Sequence, residues 1–239
     1  ALAQRAASAG AAPRVSVVTR GAFPIGGMMT MAGAAQAPVA AFSRVVGLEH
    51  PELGGRGVDL DPGASPEDAD AVIAAILDED GEDQVAIRGG VRYGQRIARA
   101  HAPARSAPPL RADAAYLITG GLGRIGLLVA ADVARRGARR LWLVGRHGAS
   151  TPEQRAAIAA LEEQGVRVRV VEADVADRAV MEARLRELTA DAPLAGVVHA
   201  AGLPGYADIE RLTAAGVAGV LRPKVQGAWT LHELTRGMP

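Results

Sequence analysis

Cysteine is absent from this chain of 239 residues, which excludes disulfides, thiolate catalysis and cysteine-bound zinc. Lysine occurs once, at Lys224, so nearly all of the 27 basic residues are arginines. These arginines are scattered and the formal net charge is only +1, whereas a nucleic-acid-binding protein would carry a basic stripe. The five histidines are far apart and do not have the spacing of paired metal ligands. We therefore predict neither a metal site nor a nucleic-acid partner.

Long hydrophobic runs are also missing. The longest stretch without a charged side chain, residues 21–43, is interrupted by prolines and glycines, so no membrane helix is predicted. The sequence opens without the pattern of a secretory signal peptide, which predicts a cytoplasmic location. Apolar residues make up 49% of the chain and charged residues 22%, as in an ordinary globular protein, and the length suits one large domain or two small ones.

Two halves lie on either side of residues 99–113, a stretch with prolines and no hydrophobic periodicity that predicts an exposed linker. The first half, residues 1–98, predicts a small α/β unit that ends in a hairpin, because Gly89-Gly90 separates two short strand candidates. The second half, residues 114–239, alternates apolar strands with helices, which predicts a doubly wound parallel sheet covered on both faces. Its predicted strands are 115–119, 140–145, 166–172 and 195–199, and its predicted helices are 124–136, 151–164, 177–190, 209–221 and 223–235.

A glycine-rich turn follows the first strand of the second half. Gly121, Gly123 and Gly126 fit the pattern G-x-G-x-x-G between a strand and a helix, as in Rossmann-type dinucleotide-binding units. The glycines allow a tight turn, a close approach of backbone to a pyrophosphate, and packing of helix on strand, while the helix N-terminus favours the phosphates. The alternative is a glycine-rich turn without a ligand. The predicted cofactor contacts here are Thr119, Gly120, Gly121, Leu122, Gly123, Arg124, Ile125 and Gly126.

Arg146 lies just beyond the second strand, where an acidic residue would bind a ribose 2′-hydroxyl and an arginine suits a 2′-phosphate. NADPH is therefore predicted in preference to NADH, the alternative being that Arg146 is an ordinary surface arginine. Asp174-Val175 follows the third strand and is predicted to face the adenine, although Asp174 could equally cap the next helix.

Small residues follow the fourth strand at Ala200, Ala201 and Gly202, and they would let a cofactor lie against the backbone. His199, directly before them, is by itself more typical of a hydrogen-bonded core histidine than of a catalyst, and we predict it as such.

Five motifs occur in order: TGGLGRIG, LVGR, ADVAD, VVHAAG and LRPKVQGAWTLHEL. In sequence and spacing they resemble the ketoreductase domains of modular polyketide synthases, within the short-chain dehydrogenase/reductase superfamily. The first half, with RVSVVTRG, AAQAPVAAFSRVVGLEHPELGGRGVDLD and EDQVAIRGGVRY, is similar to the structural subdomain of those domains. The resemblance implies a truncated Rossmann-like subdomain without cofactor, then a Rossmann-type catalytic subdomain. It agrees with the turn after Thr19, which lacks the phosphate-binding glycines, and the linker is too short to hold an inserted enoylreductase domain.

The resemblance also implies an activity, the NADPH-dependent reduction of a β-ketoacyl thioester on an acyl carrier protein to the β-hydroxyacyl thioester. The implied partners are that carrier protein and the other domains of the same synthase. Pro223-Lys224-Val225 matches the context of the family's catalytic lysine, which acts with a tyrosine, a serine and an asparagine. Without the resemblance, Lys224 is an ordinary solvated lysine near the start of a helix.

The chain departs from the family pattern at its end, since the strand and helix that bear the serine and tyrosine would follow Pro239. Tyr93, Tyr116 and Tyr206 are not followed four positions later by the expected asparagine or lysine. We therefore expect this polypeptide, as a C-terminally incomplete catalytic subdomain, to lack its proton donor and to be inactive by itself.

Two smaller departures concern the binding turn and stereochemistry. Arg124 stands where free-standing members of the superfamily usually have glycine. The residues after Gly202 lack the Leu-Asp-Asp triplet of one stereochemical class, which favours the other class.

The competing interpretation of the whole chain is a non-catalytic, degenerate ketoreductase-like scaffold of a megasynthase. Another reductase or an epimerase of the superfamily is disfavoured by the paired first half.

Overall fold

A computed structural model describes residues 14–27, 29–54, 56–99, 110–205 and 207–238, and most of the predicted linker lies outside them. The chain divides into two compact units. The first holds the described residues of 1–102 together with 207–211, and the second holds those of 103–206 and 212–239.

The first unit contains the elements β1 (Ser16–Arg20), α1 (Met31–Glu49), β2 (Arg56–Leu60), α2 (Asp68–Leu77), β3 (Gln84–Arg88) and β4 (Val91–Gly94). Its four strands form a sheet in the order β1-β2-β3-β4. Strands β1 to β3 are parallel, and β4 pairs antiparallel with β3. Gly89 and Gly90 join these last two strands with positive φ angles of 55° and 74°, which confirms the predicted hairpin. Val58, Leu60 and Val85 form the buried core together with residues of α2.

The second unit contains the elements β5 (Ala115–Thr119), α3 (Arg124–Arg135), β6 (Arg140–Gly145), α4 (Pro152–Glu163), β7 (Arg167–Glu172), α5 (Arg178–Thr189), β8 (Leu194–His199), α6 (Ala214–Leu221) and α7 (Ala228–Thr235). Its strands form a parallel sheet in the order β7-β6-β5-β8, with a hydrophobic cluster on each face. Neighbouring residues of β5 enter opposite clusters, Leu117 one and Ile118 the other, which explains why its strands are apolar without alternation. The doubly wound fold is thereby confirmed. Strand order reverses at β5, which pairs with β6 on one side and with β8 on the other.

The end of the chain differs from the sequence-based prediction in two places. The helix predicted from residue 209 begins only at Ala214, because the side chain of Thr213 caps it by accepting from the N–H of Gly216 at 3.0 Å. Between α6 and α7, the segment Arg222–Gly227 is π-helical. Pro223 has no N–H to donate, so the regular α-helical ladder is interrupted there.

No helix in the described part of the chain is long and apolar enough to cross a bilayer.

Candidate functional site

The glycine-rich turn after β5 packs so closely that Gly120, Gly121 and Gly126 have no room for side chains. Gly120 has a φ of +63°. A Cβ added to Gly126 would lie 2.1 Å from the carbonyl oxygen of Gly120, and one added to Gly121 would lie 2.7 Å from that of Ile118. Backbone atoms cannot yield as the end of a flexible side chain can, so these glycines are what brings α3 against the end of β5.

The N-terminus of α3 is open towards the turn. Its N-cap residue, Gly123, offers no side-chain acceptor, and the first turn contains no acidic residue. The N–H groups of Arg124, Ile125 and Gly126 begin the helix, where the backbone amides have no intrahelical acceptor and the potential is positive. This end of the helix fits a pyrophosphate. The side chain of Leu122, in contrast, is buried in the core, while its carbonyl oxygen accepts from Gln154 Nε2 at 3.0 Å.

A cleft opens at the carboxyl ends of the four strands, next to the reversal of strand order, where ligands bind in folds of this type. The structure brings seven of the fifteen predicted site residues together on this one cleft. It is lined by Thr119, Gly120, Val144, Gly145, Arg146, Ala173, Asp174, Val175, Ala201, Gly202, Leu203, Gly219, Arg222 and Pro223.

Eight predicted site residues are not in this lining: residues 121–126 of the glycine-rich turn, which lead into α3, and Ala200 and Lys224, which lie beside it. The N–H of Ala200 donates to the carbonyl oxygen of Thr119 at 3.0 Å and so continues the pairing of β5 with β8. Lys224 lies on the π-helical segment with its side chain near Gly202, where an added Cβ would be 3.8 Å from Lys224 Cε. Lys224 is therefore next to the cleft, over the loop that follows β8.

Asp174 is bonded on both carboxylate oxygens. Oδ1 accepts from the N–H of Ala176 at 2.9 Å, and Oδ2 forms an ion pair with Arg222. Partial burial opposes ionisation, but these two partners and the nearby charge of Arg146 hold the pKa of Asp174 below its usual range. The alternative role of Asp174 as a helix cap is wrong, because Asp177 caps α5 by accepting from the N–H of Val180 at 3.1 Å.

The sequence motifs do not identify Arg222 as a site residue, although it directly precedes the matched Pro-Lys-Val. Its guanidinium forms an ion pair with the carboxylate of Asp174, which is far away in the sequence. Arg146 acts on the same carboxyl group from the end of β6. Two cations therefore flank one carboxylate at this end of the cleft, an excess of positive charge that suits a phosphate group.

The turn after β1 in the first unit is bonded differently. The carboxylate of Asp59, on β2, is fully buried and accepts from the N–H groups of Ala22 at 2.9 Å and Phe23 at 3.0 Å. It also accepts from the hydroxyl of Thr19 at 2.7 Å and forms an ion pair with Arg88. The amides of this turn are thus satisfied by a carboxylate of the same unit.

The two tyrosines in the described part of the chain are not among the residues that line the cleft. Tyr116 is buried inside β5, where its hydroxyl oxygen accepts from the N–H of Arg111 at 2.8 Å. Tyr93 lies on β4 of the first unit. Tyr206 lies outside the described residues. Nor does any group of three histidine, aspartate or glutamate side chains suited to a metal ion occur among the residues that the structure describes.

Comparison with known proteins matches both halves of the chain. Residues 114–239 match the family model "KR domain", and residues 1–97 match "Polyketide synthase extender module SpnB, Rossmann fold domain". The chain is 37% identical over 227 residues to the pikromycin polyketide synthase component PikAIII of Streptomyces venezuelae, covering 93% of the chain and 14% of that protein. It is 40% identical over 235 residues to polyketide synthase GfsE of Streptomyces halstedii, covering 95% of the chain and 6% of that protein.

Solved structures give the same picture. A structure of A-type ketoreductases from a modular polyketide synthase matches with a TM-score of 0.85 and 37% identity, covering 99% of this chain and 51% of that one. A C2-type ketoreductase matches with a TM-score of 0.81 and 30% identity, covering 98% of this chain and 50% of that one. The chain therefore spans about half of these solved ketoreductases and a small part of the synthases.

Proposed function

The chain belongs to the ketoreductase domains of modular polyketide synthases, and from its cleft we propose that it binds NADPH and takes part in reducing a β-ketoacyl thioester to the β-hydroxyacyl thioester. Ketoreductase domains of the short-chain dehydrogenase/reductase superfamily bind a nicotinamide cofactor, and the relatives of this chain are multidomain synthases. The proposed partners are therefore an acyl carrier protein that presents the substrate and the other domains of the same synthase.

One observation carries the proposal: a single cleft extends from Gly120, in the turn that leads into the uncapped N-terminus of α3, to the two arginines Arg146 and Arg222. The amides at the start of α3 would bind the pyrophosphate, and Arg146 would bind the 2′-phosphate at the other end. Asp174 and Val175 would bound the adenine, while Ala201 and Gly202 leave room for the cofactor against the backbone. When bound, the cofactor supplies the hydride.

We propose the division of labour that the resemblance implies. Residues 1–98 are a structural subdomain without cofactor, residues 99–113 are a linker, and residues 114–239 form part of the catalytic subdomain. The internal bonding of Asp59 supports the first assignment, because the amides of that turn already have an anion.

Within the catalytic subdomain, the ammonium group of Lys224 would favour the ionised form of a neighbouring hydroxyl and so ease proton transfer to the ketone oxygen. Neither Tyr93 nor Tyr116 lines the cleft, and the hydroxyl of Tyr116 already accepts from the N–H of Arg111. We propose that the serine and the proton-donating tyrosine come from the part of a ketoreductase domain that this chain does not span.

Replacing Arg146 by alanine is expected to weaken NADPH binding about 10- to 100-fold and to leave NADH binding nearly unchanged. A charge-assisted hydrogen bond to a phosphate contributes about 1.5–3 kcal/mol, and only NADPH carries the 2′-phosphate. Fluorescence titration of both cofactors measures the effect. The matched control is Arg186→Ala, which removes an exposed arginine paired with Glu182 on α5. Equal losses for the two cofactors would refute the role of Arg146.

Replacing Lys224 by alanine is expected to lower turnover about 100-fold in the ketoreductase within its synthase, as is usual for part of an acid–base assembly. The readout is NADPH oxidation with a simple β-keto thioester. Gln226→Ala is the matched control, since Gln226 is exposed on the same π-helical segment. Unchanged turnover in Lys224→Ala would return Lys224 to a surface role. Absence of turnover in the unmodified synthase domain would favour the non-catalytic scaffold.

A further inference from the structure

His199, the last residue of β8, bonds at both nitrogens of its ring. Nδ1 lies 2.6 Å from the hydroxyl oxygen of Thr119, and Nε2 lies 3.0 Å from the carbonyl oxygen of Pro223. The ring is half-buried, whereas Thr119 is fully buried at the end of β5. One side chain thus connects two adjacent strands of the sheet to the π-helical segment.

The partners determine which nitrogen of His199 carries the hydrogen. The carbonyl oxygen of Pro223 can only accept, so Nε2–H donates to it. In the neutral ring Nδ1 is then an acceptor, and it receives the hydrogen bond from the hydroxyl of Thr119. The two bonds orient the imidazole plane and fix the distance between the end of β8 and the backbone of Pro223.

The attached segment is also packed tightly at its far end. A Cβ added to Gly227 would lie 2.7 Å from Val175 Cγ1 and 3.5 Å from His199 Cε1, so this glycine lets the π-helical segment approach the sheet closely. Lys224 directly follows Pro223 in sequence, and its side chain lies beside Gly202, three residues after His199. The bond to Pro223 therefore acts on the backbone that carries Lys224.

We infer that His199 is a positioning residue that holds Lys224 beside the cleft through its hydrogen bond to the Pro223 carbonyl, with Thr119 orienting the ring. The inference rests on the proposed function only for the use to which Lys224 is put. The restraint on Lys224 is itself a property of these bonds, and it can be measured without turnover.

The single lysine provides the measurement. Reductive methylation with ¹³C-formaldehyde labels the amine of Lys224 and the chain N-terminus only, and methylation keeps the positive charge. A Lys224→Arg variant identifies the lysine signal in the NMR spectrum. In the methylated chain without substitutions, which is the unmodified chain of the comparisons below, we expect this signal to be displaced from that of a freely solvated dimethyl-lysine.

Two variants of His199 separate the hydrogen bond from the bulk of the ring. His199→Gln keeps a donor towards Pro223 and is expected to retain the displaced signal. His199→Phe keeps a planar aromatic ring but removes both hydrogen bonds, and it is expected to return the signal to the free position. Thr119→Val keeps the shape of the side chain but removes the hydroxyl that bonds His199 Nδ1. We expect the Lys224 signal of this variant to return part of the way to the free position. His232→Ala, an exposed histidine of α7, is the matched control and should leave the signal in place.

The inference is overturned if the Lys224 signal is the same in the unmodified chain, His199→Phe and Thr119→Val, each shown to be folded by circular dichroism. If His199→Phe does not fold, the comparison of Thr119→Val with the unmodified chain decides. A returned signal in these variants supports the inference even where Lys224→Ala keeps full turnover, since that second result would contradict only the proposed function.

Discussion

Replacement of Gly126 by alanine is expected to abolish nicotinamide-cofactor binding and to destabilise the second unit. The added Cβ would lie 2.1 Å from the carbonyl oxygen of Gly120 and 2.7 Å from Cα of Gly121, both backbone atoms of the turn itself. The start of α3 must then move away from β5, and with it the amides proposed to bind the pyrophosphate. Overpacking of this kind costs about 1–3 kcal/mol or more.

Gly123→Ala is the matched control within the same turn. Its φ is −76°, which any residue adopts, and the nearest atom to an added Cβ is the carbonyl oxygen of Gly120 at 3.2 Å. Thermal unfolding and cofactor titration should therefore separate the two variants, with Gly126→Ala losing both stability and binding and Gly123→Ala keeping its stability. An unchanged melting temperature and affinity in Gly126→Ala would contradict the close packing described above.

Replacement of Asp59 by alanine is expected to lower the free energy of unfolding of the first unit by about 3–5 kcal/mol, as is typical when one partner of a buried ion pair is removed. The variant leaves the hydroxyl of Thr19 and two backbone N–H groups without their acceptor, and it removes the carboxylate partner of Arg88, which keeps its bonds to backbone carbonyl oxygens. Denaturant unfolding measures the effect. Glu82→Gln, in an exposed pair with Arg96, is the control and should change stability little. A loss equal to that of the control would show that the buried network contributes little.

The stabilisation from Asp59 should also depend on pH. Burial opposes ionisation of this carboxyl, but the bonds from Thr19, Arg88 and the amides of the turn outweigh it and hold the pKa of Asp59 below its usual range. Because the pKa is lower in the folded state, the stabilisation is fully present above the unfolded-state pKa of about 3.9 and is lost as the pH falls through the folded-state value. The stability difference between the unmodified chain and Asp59→Ala should therefore shrink in that acidic range.

The sequence predicted what depends on neighbours along the chain. Strands such as β5 and β6, the Gly89-Gly90 hairpin and the glycine-rich turn follow from local patterns of apolar residues and glycines. These patterns also led to the cleft, because parallel strands place their carboxyl ends on one edge of the sheet.

The features that the sequence did not predict depend on residues far apart in the chain. Arg222 is part of the site because it forms an ion pair with Asp174, 48 positions earlier in the sequence, and only the structure shows this pair. In the sequence, Asp59 is an ordinary acidic residue of a short strand. Its role depends on the fold, which places the N–H groups of the turn after β1 within hydrogen-bond distance of its carboxylate. The sequence predicts residues 209–211 as the start of a helix, yet the segment 207–211 belongs to the first unit, where the N–H of Ile209 donates to Glu49 at 2.7 Å. No local periodicity encodes such long-range partners.

The buried carboxylate of Asp59 also bears on how many cofactor molecules one chain can hold. If both units bound a dinucleotide, part of the cofactor would be held in the first unit, where no reaction takes place. A phosphate that approached the turn after β1 would meet amides already bonded to a negative charge that cannot leave, since it is covalently part of the sheet. The turn of the first unit thus already holds an internal carboxylate, and we propose that the cofactor available to the chain binds in the cleft beside Lys224.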